Sequence, residues 1–309
     1  MSRDVAQRAA LRSDAEVGQA ILGIDVGGTK ILGGLVSPEG EVFARHELPT
    51  RSATLIDDVL QLVRRLSESS RQDITHVGIG SKGLVDRGSG TLIRSQGLGV
   101  ENVRFAECIQ AETGLAVIVD NDVHAATIGE IYFGAGRRYK DFFLYNAGTG
   151  LAAGLVFDGH LHRGASNNAG EVGEMPIDQR AATVSSYGLH GCAEGLVHDA
   201  RRGLETPPVN LPRSGPPPRI EYGYIALNII QLLNVINPAA IVLAGGMFNR
   251  SEHGTAWVRE AVLAHALPAA VRALEFFGMS ETAPVTGLVG AAALVLEVTN
   301  GGMRKALPA

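Results

Sequence analysis

ILGIDVGGTKILGGLV, residues 21–36, is the stretch on which the reading of the whole chain turns. An apolar run reaches Asp25, passes through Gly27-Gly28-Thr29-Lys30 and resumes as a second apolar run, which reads as strand, tight glycine turn, strand. Two adjacent glycines let backbone N–H groups come close to a guest, and Thr29 and Lys30 add a hydroxyl and a positive charge. That chemistry suits a phosphate. The stretch is neither a GxxxxGK[ST] loop nor a GxGxxG fingerprint, and taken alone it reads better as an ordinary hairpin turn.

The pattern returns 120 positions on: Gly28, Thr29, Gly34, Leu35 and Val36 correspond to Gly148, Thr149, Gly154, Leu155 and Val156. The second copy, DFFLYNAGTGLAAGLVFDG at 141–159, again reads strand, Gly-Thr-Gly turn, strand. Two halves that each open on a glycine-threonine hairpin resemble the actin-like ATPase superfamily. The resemblance implies an α/β fold of two actin-like domains, each with a ribonuclease H-like sheet, and a cleft between them in which a nucleotide is clamped.

The bulk composition narrows the function classes. At 309 residues with 45% hydrophobic and 19% charged residues, the chain is long enough for two domains with real cores. A net charge of −5 and the absence of a basic run argue against nucleic acid or an anionic membrane as partner. Two cysteines, Cys108 and Cys192, form no CxxC pair and fit a reducing cytoplasm, with Cys108 expected as a buried apolar filler. The first 19 residues lack the apolar centre of a signal peptide and read as a flexible tail. No window supplies the ~20 consecutive apolar residues that span a membrane.

Along the chain, EVFARHEL reads as a third strand, Thr54–Ser69 as a helix with one apolar face, and THVGIGSKGLVD as a strand running into a glycine loop. FAECIQAETG reads as a helix stopped by Gly114, and LAVIVDND as a buried strand ending at Asp120-Asn121-Asp122 before a helix from Val123 to Phe133. Asp122 therefore falls at a strand-to-helix junction, where open α/β sheets bind ligands. Residues 20–136 read as the first α/β domain and 137–291 as the second, with a C-terminal helix, about 292–309, returning to the first. TPPVNLPRSGPPPR, 206–219, carries six prolines and reads as an exposed loop. YGYIALNIIQLLNVINP reads as a long helix, AAIVLAGGMF as a buried strand ending in Gly245-Gly246, and TGLVGAAALVLEVT as a small-residue helix.

In this order the pieces resemble the ROK family of bacterial sugar kinases. DVGGTK at 25–30, GIGSKGLVD at 78–86, VDND at 119–122, AGTGLAAGLVFDG at 147–159, and GCAEGL with LAGGMF carry the likeness. The resemblance implies transfer of the γ-phosphate of ATP to a sugar hydroxyl, with Asp122 as catalytic base; read locally, Asp122 is as readily a helix cap. It further implies that Gly27, Gly28, Thr29, Lys30, Thr149 and Gly150 meet the β/γ-phosphates. Asp25 would hold Mg²⁺ through water, and Gly245 and Gly246 would let the adenosine approach; on their own the last two fit a strand-end turn nearly as well. Asn121 would bond the sugar ring, and Asp120 would point away. Homodimers formed through the second domain are the family's usual assembly.

Where the family carries a histidine three residues after a glutamate and then CxCGxxGCxE, this chain departs. Glu171 and Glu194 stand in place, but Glu174 replaces the histidine, Ser185 and Tyr187 replace two cysteines, and only Cys192 remains, with His190 nearby. The expectation is no zinc. Lys82 stands where the first sugar loop has a proline before Gly83, and the second loop reads Ser95-Gln96-Gly97 without its usual asparagine. The acceptor is therefore expected to be a hexose or hexose-like polyol met by Lys82, Gly83, Gln96, Asn121, Asp122, Glu171, Glu174 and Glu194, with a C7-cyclitol or carbasugar held open beside glucose. Two other classes remain: a sugar-sensing regulator, for which some 20 residues before the first hairpin are too few to build a helix-turn-helix, and a non-catalytic sugar-binding protein.

Overall fold

The computed structural model describes residues 20–70, 73–177, 184–185, 188–189, 193–203, 211, 214 and 217–299. The chain divides into two compact units, one of Met1–Ala125 with Gly287–Ala309 and the other of Ala126–Thr286. The division falls between Ala125 and Ala126, inside a helix. Each unit is described by itself.

In the first unit the sequence 21–49 folds as three antiparallel strands, β1 (Ile21–Val26), β2 (Lys30–Val36) and β3 (Val42–Pro49). Helix α1 (Leu55–Ser69) follows, then β4 (His76–Ser81), a small antiparallel sheet of β5 (Leu84–Asp86), β6 (Thr91–Ser95) and β7 (Val100–Val103), helix α2 (Phe105–Thr113) and β8 (Ala116–Asn121). The main sheet has the order β3-β2-β1-β4-β8, with β1, β4 and β8 parallel. Period-2 alternation along β1 and β2 sends Ile24 and Gly33 to one face, where Leu62 and Leu66 of α1 pack. The other face presents a row of glycines in register, Gly34 beside Gly23 beside Gly78. Against that row lies the C-terminal helix, numbered α9 below (Thr286–Thr299): a Cβ on Gly23 would stand 2.7 Å from the Leu288 carbonyl, and one on Gly34 2.8 Å from the Leu288 side chain. The small residues of TGLVGAAALVLEVT and the strand glycines are thus two sides of one close contact. Gly114 ends α2 at φ 73°, a left-handed cap that glycine adopts without steric cost. Cys108 is half-buried on α2 rather than enclosed in the core, because only Phe105 and Ile109 of that short helix turn fully inward.

Helix α3 (Asp122–Phe133) carries the chain into the second unit. There β9 (Phe142–Ala147), β10 (Leu151–Phe157) and β11 (His160–His162) repeat the antiparallel opening. After a two-residue ladder of β12 (Val184–Ser185) with β13 (Gly188–Leu189) come α4 (Ala193–Arg201), α5 (Ile220–Ile236), β14 (Ala240–Ala244), α6 (Gly246–Arg250), α7 (Glu252–His265), α8 (Pro268–Ala273) and β15 (Phe276–Met279). The sheet order β11-β10-β9-β14-β15, with β9, β14 and β15 parallel, repeats that of the first unit strand for strand. Gly154, the counterpart of Gly34, again admits a helix, here α3 through Thr127. The core is built from Phe143, Tyr145, Tyr224, Ile225, Ile229, Trp257 and Val258. None of the described helices is long and apolar enough to cross a membrane.

A buried carboxylate ties the end of this unit together. Glu130 of α3 is fully buried and accepts from Ser280 Oγ at 2.6 Å, Thr282 Oγ1 at 3.1 Å and the Ala135 amide at 2.9 Å. Glu130→Ala removes the acceptor shared by these groups, leaves the buried Ala135 amide without one, and is expected to destabilise the protein by about 3 kcal/mol. Glu130→Gln is expected to be milder, because a hydroxyl can turn to accept from an amide whereas the Ala135 N–H cannot. Thermal unfolding with the order wild type, Gln, Ala checks this; equal midpoints for wild type and Ala would refute it.

Candidate active site

The first unit's site begins with sheet register. Val26, Ser81 and Asn121 are neighbours at the carboxyl ends of the parallel strands β1, β4 and β8, so the chain's three glycine- and aspartate-bearing turns leave the sheet side by side. The Gly27–Lys30 turn closes with Gly27 N donating to the Lys30 carbonyl at 3.0 Å. Thr50, just past β3, holds the outer carbonyls: its Oγ1 donates to Gly27 O at 2.7 Å and its N–H to Thr29 O at 3.1 Å. Lys30 is exposed and pairs with Glu47 at 2.8 Å.

At the head of α3 two roles that one residue might have combined are split between neighbours. Asn121 Oδ1 accepts from the amides of Val123 at 2.9 Å and His124 at 3.1 Å, which is the capping bond pattern. Asn121 Nδ2 donates to the Gly83 carbonyl at 3.1 Å. Asp122 accepts from Val123 N at 3.0 Å, and its own amide also bears on the carboxylate. Its pKa is raised by burial, with Lys82, the Val123 amide and His124 opposing the rise. Asp25 is raised to about 7, by burial first and by the charge of Asp122 second, with Lys30 working the other way. The Asp25 carboxyl rests against Gly287 at the start of α9, where any side chain would collide with it. Asp120 is turned into the core, 3.4 Å from both Arg87 and His124, and Arg87 goes on to Glu297 of α9 at 2.5 Å.

The two loops of altered sequence meet in this unit. Gly83 has φ 124°, and a Cβ on it would stand 2.5 Å from the Arg94 carbonyl, so its contribution is backbone shape and the carbonyl that Asn121 grips. The Lys82 chain lies along Gly97, whose absent Cβ would stand 2.9 Å from Lys82 Cε. Gln96, before it, is exposed. Ser81 and Ser95, at the strand ends leading into the loops, are buried with hydroxyls that bond to no described residue.

The second unit assembles its own set. β9 and β14 are parallel neighbours with Asn146 beside Ala244, so the Gly148–Gly150 turn and Gly245-Gly246 emerge together. Gly245 has φ 99°, and a Cβ there would stand 2.5 Å from the Ala147 carbonyl. Glu194, in the first turn of α4, accepts from the Leu151 amide at 2.9 Å and lies 3.6 Å from His198 one helical turn on. His198 Nε2 is 2.9 Å from the Thr149 carbonyl, and Arg201 donates to the carbonyls of Thr149 at 3.4 Å and Gly148 at 3.2 Å. Glu171 precedes and Glu174 ends a 3-10 turn, Val172–Glu174, anchored from below: Tyr145 OH donates to Asn228 Oδ1 at 2.8 Å, and Asn228 Nδ2 to Val172 O at 3.1 Å. Glu174 is exposed, with its pKa raised by partial burial and by Glu194.

The catalytic, nucleotide-binding and acceptor-binding candidates divide between the two units. Asp25, Gly27 to Lys30, Lys82, Gly83, Gln96, Asn121 and Asp122 belong to the first unit, and Thr149, Gly150, Glu171, Glu174, Glu194, Gly245 and Gly246 to the second. Tyr187, His190 and Cys192, on which the expectation about zinc rests, lie outside the described residues, as do the side chain of Ser185 and most of the 206–219 loop. Thr50, His198 and Arg201 were not foreseen. The signal for the last two was present as Glu194, His198 and Arg201 at i, i+4 and i+7 on one helix face.

Two sheets of identical strand order, each opening on a glycine-threonine hairpin, define a duplicated α/β protein of the actin-like ATPase fold. The ROK family model matches residues 21–206, and the chain belongs to that family. A glucokinase of Halalkalibacterium halodurans is 27% identical over 90% of this chain and 96% of its own length. The ROK glucokinase of Streptomyces griseus, solved in complex with glucose and AMPPNP, is 25% identical, covers 89% of this chain and 99% of its own, and superposes with a TM-score of 0.74. A xylose repressor of Caldicellulosiruptor bescii is 31% identical over 61% of this chain and 49% of its own length.

Proposed function

We propose that the protein is an ATP-dependent kinase that phosphorylates a hydroxyl of a hexose or hexose-like polyol. The observation that carries this reading is the placement of Asp122: Asn121 takes over helix capping, and burial raises the Asp122 pKa above the ordinary carboxylate value, the direction that suits a general base. In this reading Asp122 takes the proton from the acceptor hydroxyl as that oxygen attacks the γ-phosphorus. The amides of the Gly27–Lys30 and Gly148–Gly150 turns hold the phosphate oxygens, and Gly245-Gly246 leave room for the adenosine. Phosphoryl transfer is catalysed chiefly by positioning and charge neutralisation, so such donors are the right kind of machinery.

A divalent cation fits the first cluster. Asp25 is a hard oxygen ligand that a second carboxylate, Asp122, opposes, and Lys30 only partly compensates. Mg²⁺ held by Asp25 through water would neutralise the donor phosphates when bound. Lys82, Gly83, Gln96, Asn121, Glu171, Glu174 and Glu194 would meet the acceptor. Lys82 and Glu174 change the charge pattern expected around glucose, which supports extending the acceptor class to carbasugars and C7-cyclitols. The working form would be a cytoplasmic homodimer.

A coupled ADP-release screen across hexoses, N-acetylhexosamines and cyclitols tests the proposal. The expected result is ATP-dependent turnover with one group of polyols, and ADP release with none of them refutes a kinase. Glucose turning over as fast as the best acceptor refutes the cyclitol extension. The similarity to a xylose repressor motivates a second reading, a sugar-responsive regulator. Sequence-specific DNA binding released by a sugar, with no phosphorylation, would establish it in place of the first.

A further inference from the structure

A phosphate-binding turn works only if its amide N–H groups face the phosphate, and in a trans peptide the N–H points opposite to the carbonyl of the same unit. The carbonyls therefore have to be held on the other side. In the first turn Thr50 does this, bonding Gly27 O and Thr29 O, which sends the amides of Gly28 and Lys30 the other way. The second turn has no threonine in that place. Its carbonyls are instead taken by helix α4: Gly148 O by Arg201, and Thr149 O by His198 and Arg201 together. The turn's one internal bond runs from Gly148 N to Gly150 O at 3.0 Å, and the amides of Thr149 and Gly150 donate to no described residue.

We propose that His198 and Arg201 are positioning residues of the donor half of the site, a clamp that fixes the Gly148–Gly150 turn with the Thr149 and Gly150 amides presented to a donor phosphate. The proposal rests on the kinase reading above. Arg201 is suited to the work because its planar fork spans two successive carbonyls, which a single ammonium does not. Its guanidinium is half-buried and makes no ion pair with a described carboxylate, so the bonds it is placed to make are those to the turn. Glu194 braces the same turn from its far end through the Leu151 amide and fixes His198 from the side. Three residues spaced along one helix face thus grip a turn about 50 positions upstream.

The test is calorimetric binding of AMPPNP, read beside ATP kinetics, for Arg201→Ala, Arg201→Lys and His198→Gln. Arg202→Ala is the control: it removes the same charge from the next residue, which is exposed and pairs with Asp199 at 2.7 Å. Arg201→Ala is expected to weaken AMPPNP about 10- to 100-fold and to raise KM for ATP in parallel, with KM for the acceptor unchanged. Arg201→Lys is expected to recover part of the loss and Arg202→Ala to bind as wild type. Folded Arg201→Ala with wild-type affinity overturns the clamp, as does an equal loss in Arg202→Ala, which would make the effect one of net charge. Should Arg201→Ala fail to fold, wild-type affinity in both Arg201→Lys and His198→Gln overturns it. Wild-type protein that binds AMPPNP yet phosphorylates no acceptor overturns the kinase reading alone, because the clamp is judged from ratios of Kd.

Discussion

Replacing Asp122 by Asn is expected to lower kcat/KM for the acceptor by about 10²–10⁴-fold, the usual worth of a positioned general base, while AMPPNP affinity and the thermal midpoint stay near wild type. The separation follows from the division of labour at the head of α3. Asn121 supplies the cap, so the helix start does not depend on Asp122, and the bond Asp122 accepts from Val123 N can be accepted by an asparagine oxygen. The amide nevertheless has no basic lone pair for a hydroxyl proton. The pH profile carries a second signature. Burial raises the Asp122 pKa, so the base is protonated and idle at low pH and becomes competent as pH rises through that raised value. Activity of the wild type should climb with pH and level off, and the limb should vanish in Asp122→Asn. Because Asp25 and Asp122 repel one another, the limb belongs to the pair rather than to either carboxyl. Unchanged turnover in Asp122→Asn would remove Asp122 from the mechanism and the kinase assignment with it.

The cap is also where local sequence logic reaches its limit. VDND at a strand-to-helix junction contains three groups able to cap, and only the three-dimensional placement of Asn121 against both Gly83 and the first turn of α3 decides which does. What could be read without it was the duplication. The matched Gly-Thr turns and the strand glycines 34 and 154 carry the topology, since each strand glycine marks where a helix must come close: α9 in one unit, α3 in the other. The small-residue helix at 286–299 belonged to the same pattern, its alanines facing the glycine row. β15 escaped notice because FFGM is four residues with no alternation, held as a strand only by its parallel pairing to β14. The residues that hold the two turns were illegible for a related reason. Thr50 bonds to residues 21 and 23 positions away, and Arg201 to residues 52 and 53 positions away. No local periodicity records which distant donor takes a turn's carbonyl.

Asp25→Asn is expected to abolish phosphorylation and, at the same time, to make the protein more stable at alkaline pH. In the fold, burial and the neighbouring charge of Asp122 push the Asp25 pKa from the ordinary carboxylate range up to about 7. A carboxyl raised in this direction is protonated in both states below pH 4 and then has no effect on stability. Between pH 4 and 7 the unfolded chain releases its proton while the native chain retains it, so stability falls; above pH 7 the loss is complete and constant, on the order of 4 kcal/mol. Asparagine has the same shape, fits against Gly287 as the carboxyl does, and carries no charge to be held beside Asp122. The gain in thermal midpoint should therefore be largest at pH 8, smaller at pH 5 and absent near pH 4. A midpoint lowered equally at all three values would mean that Asp25 makes a bond the fold needs rather than bearing a charge the fold resists. If the gain and the loss of activity occur together, the carboxylate is kept at this place against the interest of stability, as residues that serve chemistry commonly are. The added cation should then close the argument. Mg²⁺ is expected to raise the wild-type midpoint at pH 8 and to leave Asp25→Asn unmoved, because a divalent ion relieves the same repulsion between Asp25 and Asp122 that the substitution removes.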